Sequence, residues 1–423
     1  MFGIICRWLN GKVNFLVELP TFNTPIYFCM LQIILAIITG VLAGTFTGLI
    51  PGIHINLISI FLISLSATLF SFAEPITLAV FITAMAITHT FVDFIPSIFL
   101  GCPDTDTELS ILPGHQLLKK GLGYEAVILT CYGSLVAIAV LILLAFPTLF
   151  LIPLTYSNIK TLLPYFLIVI SIFLILLENK KLKSLFVFLL TGFLGLCVLN
   201  FPSLNQPLLP LLSGLFGGSM LVLSIKNKIQ IPQQQITKPK TRIFKPLLSA
   251  VIASPFCSFL PGLGIGQAAI IGNTISNTNS KEFLFLLGAT NTLVMGFSFL
   301  SLYTISKTRT GAAVAIKEII QTLSPQLLLL LLAVVIISGI IAFFLTIFLA
   351  KFFAQKLPKF NYTKLSLITL IFLSIIILLI SKPLGFFIFI ISTFTGIYCI
   401  SLKVRRTQMM GCLLIPVIFW YLL

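Results

Sequence analysis

Apolar residues along this chain neither alternate nor recur every three to four positions; they run on in long blocks. Such blocks occupy 26–50, 53–73, 75–100, 126–154, 161–177, 184–200, 206–225, 246–275, 283–304, 324–350, 364–381, 383–402 and 410–423. A helix needs about 20 apolar residues to cross the hydrocarbon of a bilayer. The pattern therefore predicts an all-α polytopic membrane protein with roughly 10–12 transmembrane helices, some blocks being too irregular for a full crossing. Forty phenylalanines against two tryptophans suit helices that face lipid.

Composition agrees. Hydrophobic residues make up 58 % of the 423 positions and charged residues 9 %, where a soluble domain carries about 25 % charged residues. A cytosolic enzyme, a secreted disulfide scaffold and a DNA-binding domain are excluded. The net charge of +16 does not imply nucleic acid, because the basic residues sit in short loops between apolar blocks. There they act as topology signals and as contacts to anionic membrane lipid. Eight cysteines, none in a CxxC pair, read as small core hydrophobes. Residues 1–25 lack the pattern of a cleavable signal and are expected to form an N-terminal interfacial segment, with Trp8 at headgroup level.

The clearest polar interruption is KNKIQIPQQQITKPKTRIFK at 226–245, with six basic residues and no acidic ones. It divides the chain into a first transmembrane repeat, 26–225, and a second, 246–423, joined by a solvated cytoplasmic linker. The loops Glu178–Lys183, Lys351–Lys364 and Lys403–Arg406 are also basic, so all four are expected on the cytoplasmic side of a multi-pass cell-membrane protein. Two blocks separate the first of these loops from the linker, and two separate the last pair. Three blocks lie between the linker and Lys351, and five between the N-terminus and Glu178. These odd counts require a re-entrant hairpin or a hidden crossing in each half, and each suspect region contains a Pro-Gly break.

The halves share ordered motifs. GLIPGIHIN at 48–56 matches SFLPGLGIG at 258–266, THTFV at 88–92 matches TNTLV at 290–294, and DTDTE at 104–108 matches KTRTG at 307–311. Pro-Gly breaks a membrane helix, since Pro lacks an N–H and Gly accepts unusual backbone angles. Hydrocarbon cannot satisfy the freed backbone groups, so they line an enclosed or watery cavity. A half-helix starting there points its N–H groups and positive dipole end at an anion, at the interface of the repeats. The expected substrate site comprises Pro51, Gly52, His54 and Asn56 at the first break, Pro261, Gly262 and Gly264 at the second, and Asn291, Thr308 and Arg309. A guanidinium suits a carboxylate or phosphate. Asp93, an acid inside an apolar block, is expected to couple a cation with the oxygens of Thr105 and Asp106. The plain alternatives are a Pro kink for either break, an acid paired for packing for Asp93, a solvated loop for Asp104, Asp106 and Glu108, and a hydrogen-bonded core histidine for His54. No catalytic residue, metal site or cofactor is expected.

GTFTGLIPGIHIN, then PSIFLGCPDTDTELSILPGHQLLKKGLGYEAVILTCYGSLVA, then SFLPGLGIGQAA resemble the large, TctA-like membrane subunit of tripartite tricarboxylate transporters, over about 40–320. CPDTDTE stands where that family is usually Gly-rich and nearly uncharged, and PGIH where it usually has PGxG; both features resemble a divergent branch found mainly in archaea. The resemblance implies a permease for di- or tricarboxylates. It would be driven by a sodium or proton gradient and served by an extracytoplasmic binding protein and a small membrane subunit. The competing reading is a translocase for a polyprenyl phosphate or another anionic lipid. An intramembrane enzyme is the weakest, with no HExxH, GxSxG or GxGD motif.

Overall fold

Polar residues inside an apolar block must leave the lipid, and that requirement sorts the helices. The computed structural model describes residues 26–50, 74–101, 107–159, 162–204, 206–227, 232–260, 264–356 and 362–422. In chain order the helices are α1 (Ile26–Leu49), α2 (Pro75–Val92), α3 (Phe94–Leu100), α4 (Ile111–Lys119), α5 (Gly123–Ile159), α6 (Leu163–Leu176) and α7 (Lys181–Leu199). Next, α8 (Leu208–Leu212) runs through the π-turn Ser213–Gly218 into α9 (Ser219–Asn227). Beyond the linker come α10 (Phe244–Phe259), α11 (Ile265–Ser276), α12 (Ser280–Ile305), α13 (Gly311–Ile320), α14 (Pro325–Lys356), α15 (Tyr362–Ser401) and α16 (Gly411–Leu422). Among the described residues eight stretches are long and apolar enough to cross a membrane, and three shorter helices are also apolar. The chain is an all-helical, multi-pass membrane protein. The expected interfacial segment 1–25 lies outside the described residues.

Two spans form the centre. Within an apolar 18-residue stretch of the α2–α3 span and of α12, 94 % of the residues are buried, against 28 % for α5. The reason is composition: α2 carries Thr83, Thr88, His89 and Thr90, and α12 carries Thr290, Asn291, Thr292, Ser298 and Ser301, all buried. Their neighbours approach closely through small residues. A Cβ added at Gly40 of α1 would lie 2.6 Å from the Phe81 carbonyl oxygen of α2. Where α5 crosses α12, Cβ atoms on Gly133 and Gly288 would overlap the carbonyls of Phe285 and Thr130.

The contacts settle which helix ends lie together. Gln234 of the linker accepts from Gly123 N at 2.7 Å, and Gln235 N donates to Gly121 O at 2.7 Å. Glu125, at the start of α5, pairs with Lys281, at the start of α12, at 2.6 Å. Phe99, near the end of α3, stacks on Phe353, near the end of α14. One end of the bundle therefore holds the linker, the starts of α5 and α12 and the ends of α3 and α14, so α2–α3 and α12 run in opposite directions. Likewise α2 packs against α14, and α12 packs against α5.

This arrangement explains the odd block counts in the second half. Helix α10 leaves the linker end and α12 starts from the same end, so α10 and α11 between them make no net crossing. They fold on each other, with the Gly272 position 3.3 Å from Ser249 O. Their 16 and 12 residues reach only about 24 and 18 Å at 1.5 Å per residue. Among the described residues of the block 246–275, α10 and α11 thus form a short antiparallel helix pair. Helix α15 is two limbs: Lys382 has φ 60° and ψ −176°. Leu373 and Thr393 lie on opposite sides of that turn, yet both pack against the π-turn, at Gly217 and Gly218. The linker, expected to be solvated, is mostly exposed but docked at Gln234 and Thr237.

Candidate functional site

The buried polar groups converge where α2 crosses α12. Thr90 Oγ1 and Thr292 Oγ1 share a hydrogen bond of 3.1 Å. The Asn291 amide donates to Asp93 Oδ2 at 2.9 Å and approaches Thr90 O at 3.4 Å. One turn before Asp93, His89 Nδ1 lies 3.1 Å from Thr47 Oγ1 on the last turn of α1. Ser97 donates to Asp93 O at 2.8 Å and bonds the Thr107 hydroxyl. Thr47, His89, Thr90, Asp93, Asn291 and Thr292 are all buried. The hydroxyls of Thr88 and Thr290 are buried beside them with no hydrogen-bond partner among the described residues. A buried carboxylate held by an amide can exchange a proton or offer hard oxygens to a cation.

A second polar group lies at the hairpin. Arg309 N donates to Ser258 O at 3.1 Å, and Arg309 Nη1 lies 3.5 Å from Cys257 O. The guanidinium is thereby held on the last turn of α10, the limb that leads into the second Pro-Gly break. Just past that break, Gly264 N donates to Gln267 Oε1 at 2.7 Å. Gln267 Nε2 and the hydroxyls of Thr308 and Thr310 are buried donors without a partner among the described residues. Buried donors of this kind ordinarily find a partner, and here they surround the start of α11 and the loop that carries Arg309.

Of the expected site residues, the fold joins Arg309 to the last turn of α10 and Asp93 to Asn291. Sequence placed Asn291 beside the anion; the structure gives its amide to the acid. Pro51, Gly52, His54, Asn56, Thr105, Asp106, Pro261 and Gly262 lie outside the described residues. His89, Thr47 and Gln267 were assigned no role from sequence. For His89 the signal was present: THTFV and TNTLV set His89 against Asn291 and Thr90 against Thr292.

The C-terminal turn Arg406–Met410 was also unforeseen. It packs on the turn Glu108–Ser110 that follows α3, anchors through Gln408 Nε2 to Leu174 O at 3.0 Å, and brings Met410 Cε against Gly264. His115, on the short helix α4 outside the spans, has its pKa lowered to about 4 by burial, then by Arg406 and Lys119. Among the described residues no three His, Cys, Asp or Glu side chains come together as a metal ion would need.

No solved structure matches this chain. An uncharacterised protein of Methanocaldococcus jannaschii is 31 % identical over 404 residues, which cover 92 % of this chain and 99 % of that one. The tripartite tricarboxylate transporter TctA family matches residues 34–411, from early in α1 to the start of α16. That span takes in the polar crossing, the hairpin and Arg309 alike. The chain belongs to the TctA family, whose members are the membrane component of tricarboxylate transport, and so is a transporter and not an enzyme.

Proposed function

We propose that this chain is a secondary permease for a small organic anion, a di- or tricarboxylate, coupled to a cation gradient, with its site between two inverted repeats. The observation that carries the reading is the Thr90–Thr292 hydrogen bond. It joins matched positions of THTFV and TNTLV, on helices that run in opposite directions. A two-fold axis in the membrane plane relates the first set of helices, α1 to α5, to the second, α10 to α14. Helix α2 on α14 and α12 on α5 are then equivalent contacts. Inverted repeats of this kind place substrate and coupling-ion sites near the midplane, at broken helices.

In this reading the anion's carboxylate sits at the Pro-Gly breaks. Backbone N–H groups beyond Gly52 and Gly262 hold it, with Gly264, Thr308 and Arg309 at the second break and His54 and Asn56 at the first. Asp93, with Thr105 and Asp106, carries the coupling ion, and Asn291 links that acid to the substrate side. Membership of the family supports an extracytoplasmic binding protein and a small membrane subunit as partners. The test is uptake of radiolabelled citrate and succinate by proteoliposomes under imposed sodium and proton gradients. Accumulation that collapses with one gradient supports the reading. Absence of accumulation, together with absence of any thermal shift across a carboxylate panel, removes it.

One observation favours a second reading. A lateral groove of about 310 Å³ between α6, α10 and α11 is walled by Phe166, Phe173, Ile252, Phe256, Cys257 and Ile271. Cys257 supplies the carbonyl that Arg309 Nη1 approaches. An apolar tail in the groove with its phosphate at Arg309 would describe a polyprenyl phosphate or another anionic lipid. Thermal stabilisation by polyprenyl phosphate but not by carboxylates would select this alternative.

A further inference from the structure

We propose that His89 is the proton carrier of this transporter, working as a pair with Asp93, so that the coupling ion is a proton. The proposal rests on the ion-coupled reading above and names the ion. Its basis is the asymmetry of the polar crossing. At the two matched positions the second repeat carries Asn291 and Met295, which do not titrate, while the first carries His89 and Asp93. All four side chains are buried at 3 % exposure or less. A titratable pair in the middle of a span is costly to keep there and is by default functional.

The geometry prepares one ring nitrogen for the proton. Thr47 Oγ1 donates its hydrogen to Gly44 O at 3.1 Å, so its lone pair accepts the Nδ1–H of His89 at 3.1 Å. Nε2 is then the basic nitrogen. Asp93 lies one turn along the same helix, and its Oδ2 accepts from Asn291. With neutral imidazole and ionised Asp93 the pair has net charge −1. Taking one proton from water onto Nε2 brings it to zero. Releasing that proton on the other side restores the first state, so the cycle balances. An anion approaching the crossing meets a repelling charge until the proton is bound, which ties anion movement to proton movement in the same direction.

The described helices packed against α2 keep their charged residues at their ends or off the face turned to the bundle. Helices α1 and α3 have no charged residue. Those of α12 are at its start, Lys281 and Glu282, those of α14 at its last two turns, Lys351 and Lys356, and that of α5 in its first turn, Glu125. Helix α13 keeps Lys317 and Glu318 off its buried face of Ala312, Ala313, Ala315, Ile316 and Ile319. Asp93, one turn along the same helix, is the charged group that this span itself brings to His89.

Two measurements on the full chain in lipid decide the matter. In ¹⁵N-histidine spectra of the protein in nanodiscs, the His89 signal is assigned by its loss in His89→Asn, the residue that the other repeat carries. It is expected to show the neutral Nδ1–H form at high pH and to gain the imidazolium form on acidification without substrate. A ring that stays in one neutral form throughout overturns the proposal, whatever is transported. In proteoliposomes with citrate as probe, the ratio of pH-driven accumulation to citrate exchange is expected to fall at least tenfold in His89→Asn. Thr47→Val is expected to lower the same ratio, with Thr47→Ser restoring it. An unchanged ratio in His89→Asn refutes the carrier role. Absence of citrate exchange in the wild type counts against the carboxylate reading alone and leaves the spectra to decide the proton.

Discussion

The Glu125–Lys281 pair fixes the starts of α5 and α12 at one end of the bundle, so its removal tests the topology as well as an energy. The distance is 2.6 Å, with the Glu125 side chain 5 % exposed and that of Lys281 35 % exposed. At an effective dielectric of about 20 the attraction is roughly 6 kcal/mol. Taking the carboxylate out of water costs several kcal/mol, and the net value of a charged hydrogen bond is about 1.5–3 kcal/mol. Lys281→Gln leaves a buried carboxylate whose other hydrogen bond among the described residues is from the Thr237 hydroxyl at 3.4 Å, and should cost about 2–3 kcal/mol. Glu125→Gln leaves an ammonium that water can reach, and should cost about 1 kcal/mol. The double variant should resemble Glu125→Gln, giving a coupling near 2 kcal/mol. At about 2.1 cal/mol/K of unfolding entropy per residue, 1 kcal/mol moves Tm by roughly 1 °C in a chain of this size. Thermal unfolding in a single detergent resolves that difference. If the two single changes simply add in the double variant, to within about 0.5 kcal/mol, the ends of α5 and α12 are not joined. The argument for the hairpin α10–α11 would then lose its support.

Further outcomes follow from the same geometry. Cysteines placed at Gln233 and Thr241 should react only with membrane-permeant reagents in intact cells, and one at Lys307, beyond the other end of α12, should react with impermeant ones; the reverse pattern would invert the topology. Arg309→Ala should weaken citrate binding by roughly 10- to 100-fold, the value of a charged hydrogen bond of about 1.5–3 kcal/mol. Arg309→Lys should recover less than half of that free energy, since it lacks the planar fork; wild-type affinity in both, measured by calorimetry on folded protein, would place the anion elsewhere. His115, with its pKa lowered to about 4 from about 6.5 unfolded, binds its proton more readily unfolded than folded. It should therefore withdraw up to about 3 kcal/mol of stability as pH falls from 6.5 to 4. His115→Gln should flatten Tm against pH across that window, and an unchanged slope would show that the ring is not buried neutral.

How much of this was legible depends on whether the information is local. The short antiparallel pair α10–α11 has its counterpart in the block counts, because an odd number of blocks cannot join two loops on one side of a membrane. The two apolar blocks 364–381 and 383–402 correspond to the two limbs of α15, which break at Lys382. The polar crossing was legible as matched motifs, since a bilayer leaves Thr, His and Asn few places other than the interior. What escaped was contact between distant segments. Apolar residues on every face of a span erase the 3.6-residue period that would show which side packs where. Nothing in Gly133 and Gly288 announces that they meet each other's helices. Nor does RTQMM at 406–410 announce that it reaches the second break. The linker shows the same limit in polar form: three glutamines look solvated, yet Gln234 closes the backbone of the Leu118–Gly123 turn through both its oxygen and its nitrogen. Charge and breaks, which the bilayer constrains one residue at a time, are readable from sequence. Partners, which depend on two segments at once, are readable only where matched motifs, THTFV and TNTLV, set the segments against each other.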